Sequence, residues 1–223
     1  MMEISMIDKN FVIKLFPKYR KTLDLINRNP MFFEFIKKNP ASKEITNNRF
    51  DMFDESLQHI SEPLDYLEFG VYRGKTMRHC TNIMKHNETR FYGFDSFEGL
   101  PENFQSNHPK GKFSTNGNTP DIEDSRVHFI KGWFNDTLPE FLKTYDSKKP
   151  KVIHMDADLY SSTLFVLTQI HPYLRKGDII MFDEFGDLLN EFMAWHDYSR
   201  SYHKRFKVLA SFQKYKKISL ILS

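Results

Sequence analysis

The feature that most constrains the fold of this chain is a series of short β-rich runs in its central and C-terminal parts. Five runs are separated by segments long enough for crossover connections, namely Tyr66–Phe69, Arg90–Phe94, Val127–Ile130, Val152–Met155 and Asp178–Phe182. Such spacing is typical of a parallel sheet with helices on both faces. The last two runs, Phe206–Phe212 and Ile218–Leu222, flank a short turn, which favours an antiparallel hairpin. We therefore predict an α/β protein with a Rossmann-like sheet of seven strands, five parallel and two in a C-terminal hairpin.

Helical segments are predicted between these strands and before the first of them. The predicted intervening helices are Lys75–Lys85, Thr137–Thr144, Ser162–Leu174 and Leu188–Tyr202. Residues 9–28, 31–38 and 42–60 are also predicted to be helical, with a break at Asn29-Pro30, an end at Asn39-Pro40 and Ser42 as an N-cap. Residues 1–60 are thus a helical extension, acting as a lid or in oligomerisation, before a domain of residues 61–223.

Composition and charge narrow the class of protein. No apolar run approaches the ~20 residues of a membrane span, and the N-terminus lacks the basic and apolar regions of an export signal. The single cysteine, Cys80, cannot form an internal disulfide, so we predict a cytoplasmic protein. Basic residues concentrate near both ends and acidic residues in the middle of the chain. Because solvated amphipathic helices share this composition, we do not predict a nucleic-acid partner.

A nucleoside-binding turn is predicted after the first of the five strands. Glu68 lies at the end of that strand, and Gly70 and Gly74 frame the turn into the next helix. Ligands of open α/β sheets bind beyond the carboxyl ends of the strands. The spacing Glu-x-Gly-x-x-x-Gly differs from the Gly-x-Gly-x-x-Gly of dinucleotide sites. The turn therefore favours a nucleoside over a dinucleotide.

Two further strand ends extend this predicted site. Asp95 closes the second strand, where a carboxylate can accept hydrogen bonds from both hydroxyls of a ribose. Gly132 and Trp133 follow the third strand, where the edge of an adenine would lie. Asp95 as a turn residue and Trp133 as a core residue remain open alternatives. The long, non-periodic stretch 99–125 is predicted to be a mobile loop that closes over the site.

Acidic residues follow the fourth and fifth strands. Asp156 and Asp158 share one face because they are two residues apart, and Asp183 and Glu184 end the neighbouring strand. Four close carboxylates repel one another unless a cation neutralises them, and oxygen ligands favour Mg²⁺ or Ca²⁺. Some of these acids could instead be helix caps or turn residues. His154, inside an apolar strand, is predicted to be a core histidine.

At these residues the chain resembles a known family, the macrocin-type (TylF-like) sugar O-methyltransferases. The matching segments run in family order and include Gly93-Phe-Asp-Ser-Phe-Glu-Gly-Leu-Pro-Glu102, with Glu68–Gly74, Lys131–Pro139, Asp156–Thr163 and Asp183-Glu184. Members are class I methyltransferases that depend on S-adenosylmethionine and Mg²⁺. The seven strands predicted above, with a hairpin at the C-terminus, are also typical of class I methyltransferases. Residues 1–45 match nothing in the family.

The resemblance implies roles for individual residues. Asp158 would be the general base, and Asp156, Asp183 and Glu184 would hold Mg²⁺. By the same resemblance, S-adenosylmethionine would contact Glu68, Gly70, Asp95 and Ser96. The remaining predicted cofactor-binding residues, from the strand ends themselves, are Tyr72, Gly74, Gly132, Trp133 and Asp156. The family commonly has Asp-Asp where this chain has Asp183-Glu184, and the longer glutamate side chain would be expected to shift the metal or weaken its binding. The expected acceptor is a sugar or glycan hydroxyl, and the expected assembly is a homo-oligomer.

Two other functions fit part of the pattern. Asp156-x-Asp158 is similar to the metal-binding Asp-x-Asp of glycosyltransferases that use nucleotide sugars. That interpretation leaves the glycine turn and Asp95 without a role. A non-catalytic, cofactor-binding partner protein is the other alternative, and the cluster of four acids argues against it.

Overall fold

A single twisted sheet of eight strands organises the computed structural model, which describes residues 29–104, 108–146 and 148–223. The strand order is β1-β7-β8-β6-β5-β2-β3-β4. Within the described residues, β8 alone runs antiparallel to its neighbours. The strands are β1 Lys43–Ile45, β2 Asp65–Phe69, β3 Arg90–Asp95, β4 Val127–Lys131, β5 Lys151–Met155, β6 Ile179–Phe182, β7 Phe206–Phe212 and β8 Lys217–Leu222. All seven predicted strands are confirmed, and β1 is added to them.

Helices lie on both faces of the sheet, as the crossover spacing predicts. They are α1 (helical at residues 29–38), α2 Arg49–Leu57, α3 Lys75–Ile83, α4 Phe134–Thr144, α5 Tyr160–Ile170 and α6 Glu191–Ser201. A 3₁₀ turn, His171–Tyr173, follows α5. The four predicted intervening helices are therefore confirmed, with ends shifted by a few residues. Among the helices of the described residues, none combines the length and the hydropathy that a membrane-spanning segment requires.

The N-terminal part of the chain differs from its prediction. Residues 42–60 do not form one helix, because residues 43–45 pair in parallel with β7 at the edge of the sheet. Ser42 is not an N-cap, since its N–H donates to the carbonyl of Val208 (3.2 Å). The N-cap of α2 is Asn48, whose side chain accepts from the N–H of Phe50 (3.1 Å). Sheet pairing here outweighs local helix propensity.

The predicted break at Asn29-Pro30 is also wrong, because residues 29 and 30 are already helical. The helix ends at residue 38, before Asn39-Pro40, as predicted. The predicted helix over residues 9–28 lies outside the described residues.

Two apolar layers bury the sheet. On one face, α1, α4, α5 and α6 pack over a cluster that contains Phe69, Phe182 and Trp195. On the other face, α2 and α3 pack over a cluster that contains Phe53 and Met181. Because β3, β2, β5 and β6 are parallel neighbours, their carboxyl ends meet at one edge of the sheet, where most of the predicted site residues lie.

Candidate active site

A cavity of about 800 Å³ opens at the carboxyl ends of these four strands. Its volume suits a small-molecule site. Most of the predicted site residues line it: Gly70, Tyr72, Asp95, Ser96, Trp133, Asp156, Asp158, Asp183 and Glu184. Glu68, Gly74 and Gly132 do not lie on its wall. The fold thus gathers nine of the predicted residues around one space, from the ends of five strands, since Trp133 follows β4.

The turn after β2 depends on Gly70. Its φ is +95°, and a Cβ there would lie 1.9 Å from the carbonyl oxygen of Asp156. Its N–H donates to the carbonyl of Phe94 (3.0 Å). Only glycine combines this backbone conformation with such a close approach. The end of β2 at Gly70 is therefore packed directly against the end of β5 at Asp156.

Asp95 fastens the same turn from β3. Its Oδ2 accepts from the N–H groups of Val71 and Tyr72, both at 2.8 Å. Its Oδ1 accepts from the N–H of Phe97 at 2.7 Å. Asp95 therefore acts as a turn residue, one of the open alternatives. A carboxylate has about four acceptor positions, so roughly one remains free for a ligand on the cavity wall.

Glu68 is buried beneath the cavity instead of facing it. It lies beside His154 on the neighbouring strand, with 3.3 Å between Oε1 of Glu68 and Nδ1 of His154, and both side chains are 1% exposed. Burial raises the pKa of Glu68, although His154 opposes the shift. The sequence pattern did not predict this contact, because the two residues become neighbours only through the register between β2 and β5.

Acidic groups dominate the far side of the cavity. Burial, followed by repulsion from Asp183 and Asp158, raises the pKa of Asp156 well above its usual value. Burial, followed by the charges of Glu184 and Asp183, raises the pKa of Asp158 to about 7. Asp158 also adopts a left-handed backbone conformation (φ +59°), which is uncommon outside glycine and is concentrated at functional sites.

The predicted metal ligands only partly converge. One potential ligand atom each from His154, Asp156 and Asp183 lies within 4.8 Å of the others. In the described residues, Glu184 belongs to no such group. The histidine predicted to be a core residue therefore stands closer to the two aspartates than the predicted third ligand does.

Two cations that the sequence analysis missed surround Asp183. The ammonium of Lys217 lies 2.5 Å from Oδ2, and the guanidinium of Arg49 lies 3.2 Å from Oδ1. Although burial works in the opposite direction, these charges hold the pKa of Asp183 below its usual value. The sequence offered one indication for Lys217, namely that this lysine begins a mostly apolar strand. Arg49, on α2, had none.

Glu191 is a third residue that the sequence analysis missed. It is fully buried at the start of α6, and its Oε2 accepts from the N–H of Glu184 (2.8 Å). Burial raises its pKa well above the usual value of a glutamate. Glu191 thus fixes the backbone of the turn that carries Asp183 and Glu184.

The connection between β3 and β4 forms one wall of the cavity. Gly99, Leu100, Pro101, Lys110 and Phe113 line it. The ring of Phe113 meets that of Tyr72 edge-on, with centroids 5.6 Å apart. The described residues of the 99–125 stretch therefore lie beside the cavity, while the closing motion predicted for this loop remains a prediction.

This strand order, with its C-terminal antiparallel hairpin and its cavity at the strand ends, defines the class I methyltransferase fold. A calicheamicin methyltransferase superposes on 98% of this chain and 87% of its own, with a TM-score of 0.59 and 19% identity. The O-methyltransferase NovP covers 77% of this chain and 76% of its own, with a TM-score of 0.58 and 21% identity. The predicted fold class is confirmed.

The chain belongs to the macrocin O-methyltransferase (TylF) family, whose model matches residues 39–210. It is 29% identical to a mycinamicin III 3''-O-methyltransferase of Micromonospora griseorubida, over 58% of this chain and 61% of that protein. It is 30% identical to a tetracenomycin rhamnosyl 4'-O-methyltransferase of Streptomyces olivaceus, over 63% and 59%. The chain thus spans about three fifths of the length of these relatives. The resemblance seen in the sequence is confirmed.

Proposed function

We propose that this chain transfers a methyl group from S-adenosylmethionine to a hydroxyl of a sugar or a sugar-containing small molecule. The observation that carries the proposal is the meeting, in one cavity, of the β2 turn and the acidic ends of β5 and β6. The side of the cavity formed by the β2 turn suits a nucleoside with an amino-acid tail. The side formed by the acids after β5 and β6 suits a hydroxyl nucleophile. Membership of a family of O-methyltransferases supports both halves, and one relative is named for a rhamnosyl-tetracenomycin substrate.

On the cofactor side, the backbone at Gly70 and Tyr72, the free acceptor position of Asp95 and the indole of Trp133 would bind the donor. Ser96 lies beside them on the cavity wall. Glu68, Gly74 and Gly132 would act from behind the wall. A Cβ on Gly74, for example, would lie 2.9 Å from Cβ of Pro120. These three residues would therefore shape the site without contacting the cofactor.

A divalent metal fits the acidic side. Asp156 and Asp183 offer oxygen ligands. Burial, followed by repulsion from the neighbouring carboxylates, raises the pKa of Asp156, and a bound cation would offset both effects. Asp156 and Asp183 would hold the metal, with Glu184 nearby on the wall. A bound Mg²⁺ would lower the pKa of a coordinated hydroxyl and orient it.

Asp158 would remove the proton of the acceptor hydroxyl. A general base works best when its pKa lies near the working pH, and the pKa of Asp158 is raised to about 7. Asp158 lines the cavity, three residues after the end of β5. The 99–125 loop would limit the access of water, so that the hydroxyl oxygen is the nucleophile that reaches the methyl group. A homo-oligomer and a cytoplasmic location remain predictions.

The test is methyl transfer from S-adenosylmethionine carrying a deuterated methyl group. Mass spectrometry would follow the label into a panel of deoxysugars, nucleotide-linked sugars and glycosylated macrolides. We expect labelled product with at least one sugar-bearing acceptor and none with the matching aglycone. Label transfer to the aglycone instead would exclude the sugar as acceptor. Sugar transfer from a nucleotide sugar, without methyl transfer, would establish the glycosyltransferase alternative.

A further inference from the structure

His154 is an unusual residue for an apolar strand. Its side chain is 1% exposed, and neither ring nitrogen has a hydrogen-bond partner within the described part of the chain. Buried polar atoms are nearly always satisfied, so two unpaired nitrogens on one ring point to a missing ligand. A histidine with a purely structural role would instead hydrogen-bond to a neighbouring group.

The sheet places the imidazole ring of His154 beside the acidic residues Asp156 and Asp183. His154 and Asp156 are two residues apart at the end of β5 and share a face. In the register, His154 pairs with Met181 on β6, two residues before Asp183. One ring nitrogen therefore lies within 4.8 Å of a carboxylate oxygen of each aspartate. Two ligands of one cation lie at most about 4.4 Å apart, because metal–ligand bonds are about 2.0–2.2 Å long. The three side chains would therefore have to shift by a few tenths of an ångström to bind a single cation together.

Glu68 completes the arrangement from β2. Its Oε1 is 3.3 Å from Nδ1 of His154, close but outside hydrogen-bonding geometry. Histidines that bind metals usually donate their second N–H to a carboxylate, which fixes the ring and strengthens the ligand. A buried carboxylate beside an unpaired imidazole is the arrangement that this role requires. It also gives Glu68 a function away from the cofactor.

We infer that the metal centre of this chain is formed by His154, Asp156 and Asp183, with Glu68 positioning His154. An imidazole ligand suits first-row transition metals better than Mg²⁺, so the centre prefers Mn²⁺, Fe²⁺ or Co²⁺. The inference rests on the metal-assisted reaction proposed above and deepens it. Lys217 holds Oδ2 of Asp183, which leaves Oδ1, now 3.2 Å from Arg49, for the metal.

The direct test is electron spin-echo spectroscopy of Mn²⁺ bound to the full chain. The wild type should show modulation from a coordinated nitrogen, and His154→Gln should lose it. His128→Gln is the matched control, because His128 is exposed on β4, away from the cluster. A second measurement, calorimetric titration with Co²⁺, compares metal affinity between the variants. It should show at least a tenfold loss of Co²⁺ affinity in His154→Gln. Glu68→Gln should weaken Co²⁺ binding by about 10- to 100-fold. Mg²⁺ affinity should change far less in both variants.

Bound Mn²⁺ without nitrogen modulation in the wild type would overturn the inference, as would modulation that survives His154→Gln. If that variant does not fold, the wild-type spectrum and Glu68→Gln decide. Labelled methyl transfer, measured on the same samples, separates the two proposals. Transfer that requires metal without nitrogen coordination would refute only the ligand assignment. Nitrogen-coordinated metal without any transfer would refute only the reaction.

Discussion

The ammonium of Lys217 contacts Asp183 twice, at 2.5 Å from Oδ2 and at 2.8 Å from the carbonyl oxygen. Lys217 opens β8 and Asp183 follows β6, and these strands are antiparallel neighbours. Each side chain is only 7% exposed. This acid on the cavity wall is thus held by a buried cation from the C-terminal hairpin, so the hairpin helps to shape the cavity.

Replacing Lys217 with Met should therefore destabilise the fold. The change leaves a buried carboxylate with Arg49 as its remaining cation, and breaking a buried ion pair costs about 3–5 kcal/mol. Urea unfolding at neutral pH would measure the difference. Lys216→Met is the control, because Lys216 is exposed in the adjacent turn and should change stability by less than about 0.5 kcal/mol. Equal losses in both variants would contradict a specific role for Lys217.

Asp158→Asn should separate catalysis from folding. Asparagine tolerates the left-handed conformation that Asp158 adopts (φ +59°) and removes a negative charge from the cluster. We expect stability equal to or above that of the wild type, with a methyl-transfer rate lowered by about 100-fold or more. Thermal melts and cofactor titration would accompany the kinetics. Loss of cofactor binding instead would make Asp158 a structural residue.

Gly70→Ala should disrupt the junction between β2 and β5. Its Cβ would fall 1.9 Å from the carbonyl oxygen of Asp156, in addition to the cost of a positive φ. Gly177→Ala is a matched control, since its φ is similar (+91°) but nothing lies within 4 Å of the new Cβ. The control should lose about 1 kcal/mol. Gly70→Ala should lose at least about 2 kcal/mol more in chemical denaturation. Similar losses would show that the strand ends can separate without penalty.

The Asp124–Arg126 pair should make the free energy of unfolding depend on pH in the acid range. Arg126 donates to Oδ2 of Asp124 (2.6 Å) and to the carbonyls of Thr81 and Met84 at the end of α3. The hydrogen bond to Arg126 lowers the pKa of Asp124 below its unfolded value. Its stabilisation is therefore complete above the unfolded pKa and is lost as the pH falls through the folded pKa.

Asp124→Asn should accordingly be less stable than the wild type near neutral pH, and the gap should close in acid. Denaturant melts of both proteins between about pH 7 and pH 3 would test this, because model aspartates titrate near 3.9. A gap that stays constant across this range would mean that the charge of Asp124 contributes nothing. Asp121→Asn, an exposed acid on the same loop, serves as the reference.

Sequence patterns predicted the elements whose signals are local. The five crossover strands and the hairpin were found because buried strands are short apolar runs. Residues 43–45 were missed because a three-residue edge strand depends on its partner, β7, and not on its own propensity. The glycines and acids of the family motif were located for a similar reason, since they directly follow recognisable strands.

By itself, the sequence determined the order of the elements, the family and the strand ends that carry the site. Only the tertiary structure showed which side chains neutralise and position the acids. Arg49 reaches Asp183 across 134 residues and Lys217 across 34, while Glu68 meets His154 through strand register. Local patterns report how a segment folds. Contacts between distant residues depend on register and packing, which no single segment encodes.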